Sequence, residues 1–274
     1  MSLFAALFYG AADFCGGLAT RRTASIAVAA LSQSAGFALL LLVRPFFPSH
    51  AVASDYLYGA LGGLCGAFGL ALFYHALSIG KMGVISPITA ILAAGLPLAV
   101  GVARGEHLAP AQVAGIAIAL IAIVMISLST QPDGRREIAT AGVKEAIVSG
   151  LALGGFYLCL AATHRAAGLD NLIGARVASI GFLAAAGLVM RTNFVPRAMD
   201  WPLIVGAGLL DMTANALFVL ATFYGYLSIA VVLTSLYPAS TVFLARIVLK
   251  ERLQILQKAG VVLALAGVVL ISLR

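Results

Sequence analysis

Three ionisable side chains stand inside long apolar stretches: Asp13, Arg176 and Asp211. A charge buried in an apolar segment costs a few kcal/mol unless paired or wetted, so such residues mark ion paths, proton relays or substrate sites. Two acids against one base leave one carboxylate over. Low dielectric favours its protonated form, which suits a proton carrier. The Arg176 guanidinium can grip a substrate carboxylate through two parallel hydrogen bonds, or close a structural ion pair with either aspartate. Tyr9 lies four residues before Asp13 and Asn215 four after Asp211, so each pair shares one helix face. Phe218 and Thr222 continue the second stripe. Tyr157, Tyr237 and, more weakly, Tyr74 can line an amphipathic cavity, or serve as interfacial anchors. The substrate- or proton-binding set expected from these patterns is Asp13, Arg176, Asp211, Asn215, Tyr9, Tyr157 and Tyr237. Its partners are a small-molecule substrate and protons.

Two prolines flanked by hydroxyl residues form a further pattern: Ser86-Pro87 with Thr89, and Ser235 with Pro238 and Ser240-Thr241. Proline inside a helix frees a backbone carbonyl one turn earlier. The pattern reads as a kinked gating helix in each half of the chain, carried by Ser86, Pro87, Ser235 and Pro238, or as kinks absorbed by packing. The four histidines have no metal-ligand partner at helical spacing, and no metal is expected. Cys15, Cys65 and Cys159 are odd in number and lie within apolar runs, so they read as small buried hydrophobes. The nucleophile and metal motifs of an intramembrane enzyme are absent from the sequence, as is a Walker loop. No enzyme activity and no cofactor are expected, and an intramembrane enzyme is a remote alternative.

The elements that carry these residues follow from composition. Of the 274 residues 62% are apolar and 10% charged, with a net charge of +7. Soluble domains carry about 25% charged residues, so this chain could not cover a water-facing surface. A soluble enzyme, a disordered chain and a nucleic-acid binder are excluded, and the lipid bilayer is the expected solvent. Breaking the sequence at charged and Pro-rich clusters gives ten spans of the length a bilayer needs: 3–20, 25–43, 55–77, 81–103, 108–129, 144–163, 170–190, 201–224, 227–249 and 254–273. Asp13 interrupts the first apolar run and Arg21-Arg22 follow it, so a retained helix is expected rather than a cleaved signal. The fold class is an all-α multi-pass membrane protein, and the plasma (inner) membrane is the expected location. A monomer or weak homodimer is expected.

A shift of 145 residues aligns 55–129 with 200–274 without a gap, and 21 of the 75 positions are identical. Asp55/Asp200, Phe73/Phe218, Glu106/Glu251, Gln112/Gln257 and Gly115/Gly260 are among them. Such self-similarity reads as five helices (1–130), a connecting loop (131–143) and five related helices (144–274). Because five is odd, the second set enters the membrane from the opposite side, as in the inverted repeats of alternating-access transporters. Asp211 aligns with Gly66 and Arg176 with Leu31, so the charges break the symmetry of the repeat.

The segments GKMGVISPITAILAAGLPLAVGVARGEHLAPAQVAG (80–115) and LSIAVVLTSLYPASTVFLARIVLKERLQILQKAG (227–260) each combine a Pro-containing helix, a Glu-bearing turn, then Gln and Gly opening the next helix. In this, and in length, helix number and duplication, the chain resembles the drug/metabolite transporter superfamily, in its ten-helix EamA-type branch. The resemblance implies a basket of ten helices, a central cavity lined largely by helices 1, 3, 4, 6, 8 and 9, and transport of small metabolites, amino acids prominent among them. The resulting expectation is a secondary transporter of a small polar or amphipathic, amino-acid-like metabolite, by proton-coupled export. Uptake and facilitated exchange are the alternatives. The face holding both ends of the ten-span chain has four Lys/Arg and the other eleven. The positive-inside rule then puts both termini outside, whereas the resemblance implies both inside.

Overall fold

The computed structural model of the chain describes residues 1–103, 109–130, 136–138, 141–224, 234, 237–249 and 255–272. Among them are ten α-helices: α1 (Ser2–Ala19), α2 (Ser25–Val43), α3 (Ala53–Ile79), α4 (Met82–Ala103), α5 (Pro110–Ser127), α6 (Val143–Ala161), α7 (Asp170–Val189), α8 (Trp201–Tyr224), α9 (Tyr237–Val248) and α10 (Ile255–Ser272). They fall on the ten expected spans. The start of the ninth span lies outside the described residues. A helix satisfies its own backbone polar groups, which is what lets apolar runs of this length cross lipid. Six of the ten (α1, α2, α3, α6, α7 and α8) are long and apolar enough to do so within the described residues.

Two short strands are described around the loop expected at 131–143. Strands β1 (Leu128–Thr130) and β2 (Arg136–Ile138) pair antiparallel, with Leu128 opposite Ile138. Three-residue strands are too short to show period-two alternation. The pairing satisfies backbone groups that leave the end of α5 unpartnered.

The helices pack in two groups. In one, α3 lies against α6 and α7, and α6 against α4; in the other, α8 lies against α1 and α2, and α1 against α9. Helices α5 and α10 pack on each other, while contacts of α2 with α7 and of α4 with α9 join the groups. Glycines set the closest approaches, as small residues do between helices in lipid. A Cβ at Gly63 of α3 would strike the Ala175 carbonyl on α7, and one at Gly208 of α8 the Ser32 carbonyl on α2.

Polar ties hold the helix ends. Asp55 caps the start of α3 by accepting the Val52 N–H (3.0 Å) and also accepts the His164 N–H (2.8 Å) from the loop after α6. At the opposite face Thr23, in the loop after α1, donates to Asp200 just before α8 (3.0 Å). Arg44, after α2, makes a two-pronged bond to Asp170 at the start of α7 (2.7 and 2.9 Å), and Ser49 and Tyr56 also donate to that carboxylate.

Candidate functional site

A cavity of about 70 Å³ opens between the two groups. One water needs roughly 10–15 Å³, so a small head group or a few waters fit. All seven side chains that the sequence singled out for binding stand in its wall: Tyr9, Asp13, Tyr157, Arg176, Asp211, Asn215 and Tyr237. Gln33 and Ser179 join them on the polar side, and Gly66, Ala67, Leu70, Phe73, Leu153 and Phe156 form an apolar side from α3 and α6. The implied lining of helices 1, 3, 4, 6, 8 and 9 is present, and α2 and α7 line the cavity as well. Sequence reasoning passed over Gln33 because it weighed ionisable residues first. The signal was there, a lone amide between Ser32 and Ser34 in an apolar span.

Each polar residue is held by the local packing of its helix. Gly59 and Gly63 bring α3 onto the α7 backbone at Asn171 and Ala175, which fixes the turn carrying Arg176. Gly36 and Gly208 do the same between α2 and α8, one turn from Asp211. Helix α1 is pinned to α9, where Thr241 donates to the Gly10 carbonyl (3.1 Å) and Ser240 to the Ala6 carbonyl (3.2 Å). Tyr9 and Tyr237 then meet edge to face, with ring centroids 6.3 Å apart. Tyr157 packs on Phe218 at 5.4 Å, an arrangement favoured by the ring quadrupoles.

The charges are unequally partnered. Arg176 donates to Asp211 at 2.6 Å, and the pair is largely shielded, with side chains 7% and 23% exposed. It joins α7 of one group to α8 of the other, helices that otherwise barely touch. Asn215 shares the Asp211 face, but its amide donates to the Asp211 main-chain carbonyl (2.8 Å) and not to the carboxylate. Asp13 is 9% exposed and has no hydrogen bond or ion pair among the described residues. The arrangement therefore holds one closed ion pair and one carboxylate free to take up a proton or a cation.

Of the expected gating residues, Ser86, Pro87 and Pro238 do not line the cavity. Ser86 and Pro87 are buried in α4, away from the cavity wall, which α4 reaches through Ala93. Pro87 and Pro97 are both interior to α4, so two of its carbonyls lack the usual helical donor. Pro238 lies within α9, and Ser235 lies outside the described residues. Tyr74 is buried beside Gly16 and does not line the cavity. The His164 ring approaches Asp55 at 3.0 Å at the helix ends, remote from the cavity.

Comparison with known proteins agrees with this architecture. A solved crystal structure 15% identical in sequence superposes with a TM-score of 0.67, over 98% of this chain and 94% of its own; at that identity the likeness shows the fold. No curated protein matches the chain. The model of the EamA-like transporter family matches residues 142–273, the part containing Arg176, Asp211, Asn215 and Tyr237. Through that match the second half of this multi-helical chain is similar to the EamA-like transporters, a family of membrane transporters within the drug/metabolite transporter superfamily.

Proposed function

We propose that this protein exports a small amphipathic, amino-acid-like metabolite in exchange for protons, by alternating access between two inverted five-helix repeats, 1–130 and 144–274, in the plasma membrane. The observation that carries the reading is Asp13, a carboxylate buried in the cavity with no partner among the described residues, beside the closed Arg176–Asp211 pair. A lone buried carboxylate holds a proton or a cation, not both, so the two compete for one place and their fluxes are coupled.

The inverted repeat is supported by how the helices pack. Adding five to each helix number turns the α3–α6, α3–α7 and α4–α6 contacts into α8–α1, α8–α2 and α9–α1, and all six occur. Asp55 and Asp200, 145 residues apart, both tie the start of a helix to a loop of the other repeat, at opposite faces. Phe73 and Phe218, also 145 apart, are both buried, in helices that run in opposite directions under this topology. The Arg176–Asp211 pair spans the two helix groups, so motion of one group against the other must stretch or break it. Alternating access fits a site placed there.

The test is flux in proteoliposomes over a panel of amino acids and amines, with and without an imposed pH gradient. The parent protein is expected to move substrate uphill on the gradient, and Asp13→Asn to lose that uphill movement. Full gradient-driven flux in Asp13→Asn refutes proton coupling at this carboxylate. Parent flux that ignores the gradient favours facilitated exchange.

A further inference from the structure

The polar wall of the cavity holds three acceptors without a donor, all on one helix group, beside one unmatched hydroxyl, that of Tyr9 on α1. Asp13 on α1 has no partner among the described residues. Asn215 on α8 spends its amide N–H on the Asp211 carbonyl, which fixes the orientation of the amide and leaves Oδ1 buried without a donor. Gln33 on α2 likewise buries Oε1 without a donor. The three residues are 9%, 3% and 7% exposed. A buried acceptor left unmatched is costly, so three in one small cavity call for a ligand rich in N–H. The fixed cation of the wall, Arg176, is already committed to Asp211. Opposite them, Gly66, Leu70 and Phe156 offer only apolar surface.

We propose that the site recognises a primary ammonium group, R–NH₃⁺, through its three N–H donors to Asp13, Gln33 and Asn215, with the apolar body of the ligand against α3 and α6. A free carboxylate on the ligand is not required. This rests on the cavity being the substrate site, and it sharpens the amino-acid-like class to the chemistry of its amine end. A quaternary ammonium carries the same charge but offers no N–H, and a zwitterion finds Arg176 occupied. The structure thus ranks ligands by donor count rather than by charge alone.

Calorimetric binding to the full-length protein in a fixed detergent tests this with leucinamide, its N,N,N-trimethyl derivative, 4-methylpentanamide and leucine. Leucinamide is expected to bind, and leucine no more tightly. The trimethyl compound should be weaker by about tenfold or more, the loss typical of forfeited charge-assisted hydrogen bonds, and 4-methylpentanamide should not bind. Gln33→Leu and Asn215→Leu should each weaken leucinamide about tenfold. Gln33→Glu should tighten it, a gain that misfolding cannot produce. Trimethyl binding within threefold of leucinamide, weaker binding by Gln33→Glu, or no binding of any probe to the parent overturns the proposal. The expected binding pattern without flux of leucinamide overturns transport instead and leaves the head-group assignment standing.

Discussion

Removing Arg176 while leaving Asp211 in place strands a carboxylate between two helix groups. Breaking a buried ion pair from one side costs about 3–5 kcal/mol. Asp211 retains 23% exposure, toward the cavity, which screens part of the stranded charge and points to the lower end, about 3 kcal/mol. Asn215 cannot rescue it, because its amide is bonded to the main chain. For a chain of this size 1 kcal/mol moves the unfolding midpoint by roughly 2–4 °C, so Arg176→Leu is expected to lower it by about 6–12 °C. Replacing both partners, as Arg176→Leu with Asp211→Leu, removes the stranded charge along with its counter-ion. The double variant should return to within about 3 °C of the parent, since apolar replacement of a whole buried pair is often neutral. It should nevertheless lack flux, because the polar joint between the groups is gone. The assay is thermal unfolding of the four proteins of the cycle in one detergent, followed by flux of the double variant. If Arg176→Leu costs under 2 °C, or the double variant loses the sum of the single losses, the two residues are not coupled in the way described.

Two further perturbations separate scaffold from site. Gly63→Ala and Gly208→Ala each drive a Cβ into a facing carbonyl and are expected to cost about 1–3 kcal/mol through helix displacement. Gly181→Ala and Gly206→Ala meet nothing within 4 Å and should be neutral or stabilising by up to about 1 kcal/mol; thermal unfolding of all four variants checks this, and equal losses across the set would contradict the packing. Arg44→Ala leaves Asp170 with Ser49 and Tyr56 as donors, and Arg44 is 42% exposed, so only a small loss of stability is expected. Ligand affinity, measured by calorimetry, should stay unchanged.

The sequence made the helices legible because in lipid the same apolar run specifies both burial and backbone satisfaction. Asp13, Arg176 and Asp211 were legible for the converse reason, that a charge in such a run has no bland explanation. The partner of Arg176 was not. Both aspartates were eligible, and the choice falls to Asp211 because α7 and α8 are each drawn by glycines onto a neighbouring helix, at Gly63 and Gly208, in a way no local pattern encodes. Gln33 escaped notice because an uncharged amide flanked by serines is unremarkable in one dimension, and only its place on the cavity wall gives it meaning. Ser86-Pro87, conspicuous in sequence, is buried in α4 off the cavity wall, and Pro97 shares that helix.

Positions 145 residues apart behave in two ways, and the difference bears on what the cavity can hold. Where helices meet, the residue is kept: Gly63 and Gly208 each admit a neighbouring backbone, and Asp55 and Asp200 each anchor a helix start. At two positions on the cavity wall it is not. Gly66 and Leu70 on α3 correspond to Asp211 and Asn215 on α8, and all four line the wall. A cavity built from two identical halves would present its polar groups twice or not at all, and would suit a symmetric or wholly apolar solute. Here α3 supplies glycine and leucine and α8 an aspartate and an asparagine, so the cavity has a wet wall opposite a dry one. A solute with one polar end and one apolar end is the chemical counterpart of that division, and it can satisfy Asp13, Gln33 and Asn215 without disturbing the α3 surface that its body requires.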